Sequence, residues 1–238
     1  GPVVGLAAVA SAGLLLSFGG APAAISFAGD FVLFAYLLGL ARFFTALAAL
    51  DTGSSFEGMG AAREMTFASL AEPALFLCLL VLARATGGLS LSQMLGEGLS
   101  SAWGEHGPAL LLTSLALFVV ALAENARIPV DDPQTHLELT MIHEVMVLDH
   151  SGPDLAFILY GASLKLFLFG ALVVRLALGA RFPDPWLALA AFLGGMAVFA
   201  VLVGGVESTM ARLRLSRVPQ MLVGASVLSV FALVLLLR

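Results

Sequence analysis

Residues 154–178 read DLAFILYGASLKLFLFGALVVRLAL, an apolar run with one lysine, Lys165, near its middle. Crossing the hydrocarbon core of a bilayer takes about 20 predominantly apolar residues. This run meets that length and therefore reads as a transmembrane helix. The rest of the chain agrees. Of its 238 residues 60% are hydrophobic and only 11% are charged, and the mean hydropathy is +1.04. Soluble domains carry about 25% charged residues. A water-soluble fold of this length would have too few charges to cover its surface, so a soluble enzyme is excluded. Nothing in the sequence suggests nucleic-acid binding, and no phosphate-binding glycine loop or nucleophile triad is present.

Outward from this run, apolar stretches recur at 3–18, 27–50, 63–85, 108–123, 185–206 and 218–237. Together they predict an all-α integral membrane protein with about seven spans, a single polytopic domain over residues 1–238. Helices are required because an open sheet leaves its backbone unsatisfied in lipid. The first stretch is slightly short. The chain begins Gly1-Pro2 with no basic segment, so no signal peptide is legible. No internal repeat is visible, which weighs against an inverted-repeat transporter.

Three linkers, 51–62, 124–153 and 207–217, fall on one side and carry Arg127, Arg212, Arg214 and Arg217, with Arg63 at the edge. The positive-inside bias places that side in the cytoplasm of a cell (inner) membrane protein. The opposite linker, 86–107, is rich in glycine and serine and suggests a short surface helix.

The longest polar passage is 124–153. Asp132-Pro133 reads as an N-cap followed by proline at the first helical position. Leu137, Met141, Val145 and Leu148 then recur as one apolar stripe. The passage is expected to be an amphipathic helix lying on the bundle, ended by Ser151-Gly152-Pro153. His136, His143 and His150 stand seven apart, about 10 Å per step along a helix axis, too far to share a metal. The fourth residue after His143 is Val147, so the HExxH zinc pattern is absent. No metal site is expected in this chain. The one cysteine, Cys78, excludes an internal disulfide and an iron–sulfur cluster ligated by this chain alone.

Glu72, Lys165 and Arg42 interrupt apolar runs. An ionisable group at the bilayer centre costs about 2.5–3.5 kcal/mol on insertion scales, so such groups face the bundle interior and pair. The residues leave two readings open: a structural ion pair of Glu72 with Arg42 or Lys165, or a proton relay. Glu124 and Glu207 sit at helix ends, where solvation favours an ordinary surface acid. With Asp51, Glu64, Asp131, Asp132, Glu138, Glu144 and Asp149 they form an acidic approach from the linker side.

Several motifs carry a family resemblance. Glu124-Asn-Ala-Arg127-Ile-Pro129-Val-Asp131 resembles the E-x-x-R-x-P-F-D motif of the subunit 1 family of respiratory complex I. The stretch from Leu50-Asp51-Thr52-Gly53 to Arg63-Glu64 is similar to the L-D-T-G-S-x-F-x-G-x-G-A-x-R-E motif of its hydrogenase branch, the membrane subunits of formate hydrogenlyase and hydrogenase-4. Glu72-Pro73 falls where that branch has E-P, and Ala211-Arg212-Leu-Arg214 resembles its A-R-L-R. Gln134, His136 and Val130 depart from the complex I pattern and favour the hydrogenase branch.

The resemblance implies an eight-helix subunit, with one helix upstream of Gly1, that is not catalytic by itself. It implies hydrophilic hydrogenase-like large and small subunits carrying iron–sulfur clusters and a NiFe centre, and antiporter-like membrane subunits as neighbours in the bilayer. By motif position it carries over Arg63, Glu64, Glu72, Glu124, Arg127, Asp131 and Glu138; together with the buried charge Lys165 and the linker acids Glu144 and Glu207, this gives an expected ion path through Glu72, Glu124, Asp131, Glu138, Glu144, Lys165 and Glu207. Docking and structural roles fall to Asp51, Arg63, Glu64, Arg127, Pro129, Arg212 and Arg214. A quinone-site subunit of a complex I-type enzyme is the alternative. A stand-alone transporter is a third reading, disfavoured by the motifs.

Overall fold

The computed structural model describes residues 1–96, 98–131, 141–179, 182 and 184–237. Eight α-helices are seen among them: α1 Pro2–Gly13, α2 Asp30–Asp51, α3 Ser55–Thr86, α4 Leu91–Met94, α5 Gly98–Glu124, α6 Gly152–Leu178, α7 Pro185–Thr209 and α8 Val218–Leu236. Six are long and apolar enough to cross a membrane; α1 is apolar but shorter. The all-α membrane architecture expected from composition is therefore the observed one.

Two groups of helices share the core. α3, α5 and α8 pack on one another, while α1 wedges between α2 and α6. Contacts of α2 with α3 and of α5 with α6 join the two groups, and α7 lies outside against α6. Small residues permit the close approaches, as expected where lipid supplies no hydrophobic drive for helices to associate. Ala12, Ala74 and Ala116 are fully buried at such contacts.

Several expected boundaries move. The first span ends at Gly13 rather than Phe18, because the chain turns there and Ile25 N–H donates to the Leu14 carbonyl at 3.0 Å. The expected linker 51–62 is mostly helix: α3 starts at Ser55 and runs for 32 residues, leaving only 52–54 between helices. It ends at Gly87, whose φ of +69° is a left-handed cap that favours glycine. α5 begins ten residues before the expected span and bends at His106 (φ −127°, ψ 28°), two residues before Pro108, which has no amide to donate. Within 86–107 the short helix α4 does form, but Leu91 and Met94 are buried. The fully buried Asp30 carboxylate holds it by accepting from Leu91 N–H at 2.6 Å.

The amphipathic helix expected over 124–153 is not continuous. Residues 132–140, which include Glu138 and His136, lie outside the described residues. After them the chain forms a 3-10 turn at Glu144–Val147, with Val145, Met146 and Val147 buried. Tertiary contacts explain the departure from an α-helix. The Asp131 carboxylate accepts from the backbone N–H of Ile142 and His143, both at 3.1 Å, and fixes that turn of backbone. Met146 and Val147 then pack on Ala46, Ala49 and Ala61.

Gly60 makes this docking possible, since a Cβ there would lie 2.2 Å from Val145 Cγ1 and 2.9 Å from the Ile142 carbonyl oxygen. Gly60→Ala is expected to push residues 142–147 off α3 and destabilise the bundle by about 1–3 kcal/mol, as overpacking does. Thermal denaturation in detergent together with limited proteolysis within 141–151 checks this; an unshifted midpoint and cleavage pattern would refute it.

Candidate functional site: a buried network of charges

Four charged residues from four helices meet inside the bundle. The Arg42 guanidinium on α2 donates through Nη1 to Glu124 Oε1 on α5 at 2.7 Å, and through Nη2 to Glu72 Oε1 on α3. Lys165 Nζ on α6 lies 2.9 Å from Glu124 Oε2 and donates to the Glu124 backbone carbonyl at 2.6 Å. Glu124 therefore receives both cations. The side chains of Glu124, Arg42 and Lys165 are 3%, 6% and 13% exposed, whereas that of Glu72 is 48% exposed.

Local structure explains why Glu124, expected at a solvated helix end, is buried. α5 stops inside the bundle. Arg127 N–H donates to the Leu122 carbonyl at 2.9 Å and Ala126 N–H to the Ala123 carbonyl at 3.1 Å, the paired bonds of a Schellman C-cap. Ala126 takes the left-handed position with φ +48°, where a non-glycine residue is strained by about 1–2 kcal/mol. The turn presents the negative end of the helix dipole to the Lys165 ammonium. At 1.5 Å per residue, Lys165 lies about 20 Å along α6 from Gly152 and Arg42 about 14 Å back from the end of α2. The network is thus well within the spans.

A half-open cavity reaches the network between α1, α2 and α6. Its apolar wall includes Val9, Phe157 and Gly161, and its polar end holds Arg42, Glu124 and Lys165. Glu64 and His143 also line it. A much smaller cavity shares Arg42, Glu64 and Glu124 with the first and adds Asp131 and Ile142.

The other expected site residues sit elsewhere. Asp131 Oδ1 pairs with Arg212 Nη2 at 3.0 Å, and Arg127 Nη1 with Glu207 Oε1 at 3.3 Å. Leu213 N–H donates to the Pro129 carbonyl at 2.9 Å, and Arg63 Nη1 to the Met141 carbonyl at 3.1 Å. These bonds tie 127–131, 141–143 and 207–213 to the end of α3 as one platform. Glu144 opens the 3-10 turn, Asp51 ends α2 exposed, and Arg214 is exposed. Arg42 and His143 are visible in the sequence as an arginine in an apolar run and as one of a histidine series, but neither pattern shows that the two residues line one cavity with Glu124. Among the described residues no group of three or more His, Cys, Asp or Glu is placed to hold a metal ion. Cys78 is buried, with its Sγ 3.2 Å from Ser229 Oγ, and does not fit cluster ligation.

Apolar spanning helices around a buried network of charges, with a knitted polar platform at one end, define a multi-pass membrane protein. The chain belongs to the NADH dehydrogenase family, whose sequence profile matches residues 1–237, and it is a membrane subunit of the complex I-like kind. Among its relatives, hydrogenase-4 component C of Escherichia coli (strain K12) is 40% identical over 153 residues, 63% of this chain and 46% of that protein. Formate hydrogenlyase subunit 4 of the same organism is 31% identical over 204 residues, 81% of this chain and 63% of that protein. The matches thus span about half to just under two thirds of these relatives. The fold is that of a chain in the membrane-bound sulfane sulfur reductase, an archaeal respiratory membrane complex, with a TM-score of 0.82 at 18% identity, covering 99% of this chain and 78% of that one.

Proposed function

We propose that this chain is the coupling subunit of a hydrogenase-like, energy-converting redox complex. It anchors hydrophilic large and small subunits on the platform formed by 124–131, 141–151 and 207–217, which faces the cytoplasm in this reading. Those partners carry the iron–sulfur clusters and the NiFe centre, and antiporter-like subunits adjoin the chain in the membrane. The similarity to hydrogenase-4 component C and formate hydrogenlyase subunit 4 supports this assignment.

One observation carries the coupling role. Three carboxylates, Glu64, Glu72 and Glu124, share the surroundings of two cations, Arg42 and Lys165. The partly exposed carboxylate left without a cation of its own beside the buried Arg42–Glu124–Lys165 cluster can take a proton or an external cation. A site that holds two alternative arrangements of one extra positive charge can pass that charge on when a neighbouring redox event shifts the balance. Glu72, half exposed at the α2–α3 edge, is the exit from the network in this reading, and Glu124 its hub. Glu72→Gln, in the intact complex in liposomes, is expected to abolish ion translocation while redox activity of the soluble arm persists. Unchanged pumping would remove Glu72 from the path.

A second reading is favoured by the shape of the larger cavity: an apolar wall leading to Arg42 and Lys165 suits the ring and tail of a quinone. Val9, Phe157 and Gly161 would flank such a molecule and Lys165 would face its oxygens; the quinone itself would accept electrons from the partner arm. Quinone-dependent turnover, blocked by Gly161→Leu, distinguishes this from the hydrogenase reading.

A further inference from the structure

We propose that His143 and Glu64 form the proton entry of the buried network, with His143 at the mouth and Glu64 between the two cavities. The proposal rests on the ion-coupling reading above. It adds the residues by which protons reach Glu124 from the platform side.

Glu64 is placed for transfer in a way that the paired residues are not. It lines both cavities, as do Arg42 and Glu124. Yet no hydrogen bond or ion pair holds its carboxylate among the described residues, whereas Glu72, Glu124, Asp131 and Glu207 are each bound to a cation. A carboxylate that no cation holds is free to turn between the two cavities that it lines. Glu64 is only partly buried.

His143 completes the entry. It is half-buried, it lines the larger cavity, and it follows directly on the buried Ile142. Its backbone N–H, not its imidazole, binds Asp131. The ring is thus positioned by the backbone, and no bond to it is seen among the described residues. An imidazole ring can accept a proton at one nitrogen and give one up at the other. Among the described residues, the charged groups that line the cavity with it are Arg42 from α2, Glu64 from α3, Glu124 from α5 and Lys165 from α6; Asp131 and Glu144 flank it in its own segment, and Arg63 from α3 binds the Met141 carbonyl two residues away. α1 contributes no titratable side chain to the cavity. The cavity is polar at this end and large enough for water. A proton leaves a ring nitrogen of protonated His143, crosses cavity water and binds a Glu64 carboxylate oxygen, returning the imidazole to its neutral form. From Glu64 it moves to the carboxylates shared by Arg42 and Lys165.

The test uses the intact complex in liposomes, with reduced methyl viologen as electron donor and a pH-sensitive dye reporting proton movement. His143→Gln and Glu64→Gln are each expected to slow proton translocation roughly tenfold, since cavity water replaces the positioned acid only in part. Imidazole added to His143→Gly should restore rate, and Glu64→Asp should retain most of it; these two decide the matter if Glu64→Gln impairs assembly. Wild-type rates in both glutamine variants, with translocation still blocked by Glu124→Gln, would overturn this entry while leaving the coupling reading in place. Translocation surviving in Glu124→Gln would overturn both.

Discussion

Arg42→Met is expected to destabilise the protein by roughly 3–5 kcal/mol, the cost of breaking a buried ion pair by removing one partner. Arg42 touches two acids, Glu72 and Glu124, from helices α3 and α5. Methionine fills a similar volume but donates nothing, so both carboxylates lose a cation at once. Glu124 keeps Lys165 at 2.9 Å; among the described residues no second cation is paired with Glu72. Arg42→Lys restores the charge but not the fork that serves two acceptors, and should recover only part of the loss. Adding Glu72→Gln to Arg42→Met removes one stranded acid and should recover stability, giving a coupling energy in a double-mutant cycle. Thermal midpoints of the four proteins in detergent measure it. Additive effects of the two substitutions would show that the pair does not act as a unit.

Glu124→Gln is expected to have the largest effect on function. The amide is nearly isosteric with the carboxylate, so the α5 cap and its carbonyl bond to Lys165 Nζ remain. One oxygen still accepts from Arg42. The amide nitrogen then faces the Lys165 ammonium, donor against donor, with two cations left around a neutral group. Stability should fall by roughly 3–5 kcal/mol, and ion translocation by the assembled complex should stop, because the hub no longer carries an exchangeable charge. Native electrophoresis of the complex separates loss of assembly from loss of transport. Translocation at the wild-type rate in an assembled complex would refute the central role given to Glu124.

Much of this arrangement is written along the chain. The apolar run of 154–178 with Lys165 at its centre announces both a spanning helix and a buried charge that must find a partner. Glu72 and Arg42 are legible for the same reason: an ionisable side chain in an apolar helix is costly unless paired. The choice of partner is not legible. Arg42 lies 30 residues from Glu72 and 82 from Glu124, and Lys165 lies 41 from Glu124. In a soluble helix the apolar stripe marks the inward face. In lipid the outward face is apolar too, so periodicity does not reveal which faces meet. Lys165 thus finds Glu124, although Glu72 is an equally good candidate from the sequence.

The linkers show the opposite balance. Composition marks 124–153 as polar and marks Arg127, Asp131 and Arg212 as ionic, but an isolated stripe of Met141, Val145 and Leu148 suggests an α-helix where the chain makes a 3-10 turn. The order of residues alone dictates that the chain lives in a membrane, roughly where its spanning helices run, and which side chains carry charge into them, because these follow from local hydrophobicity and the cost of burying ions. Packing in three dimensions is what ends α5 inside the bundle, gives two cations to Glu124 rather than to Glu72, and lets the 142–147 segment seat over Gly60. Those outcomes depend on distances between segments far apart in the chain, set by helix packing and by backbone amides captured by Asp131, and no local pattern encodes them.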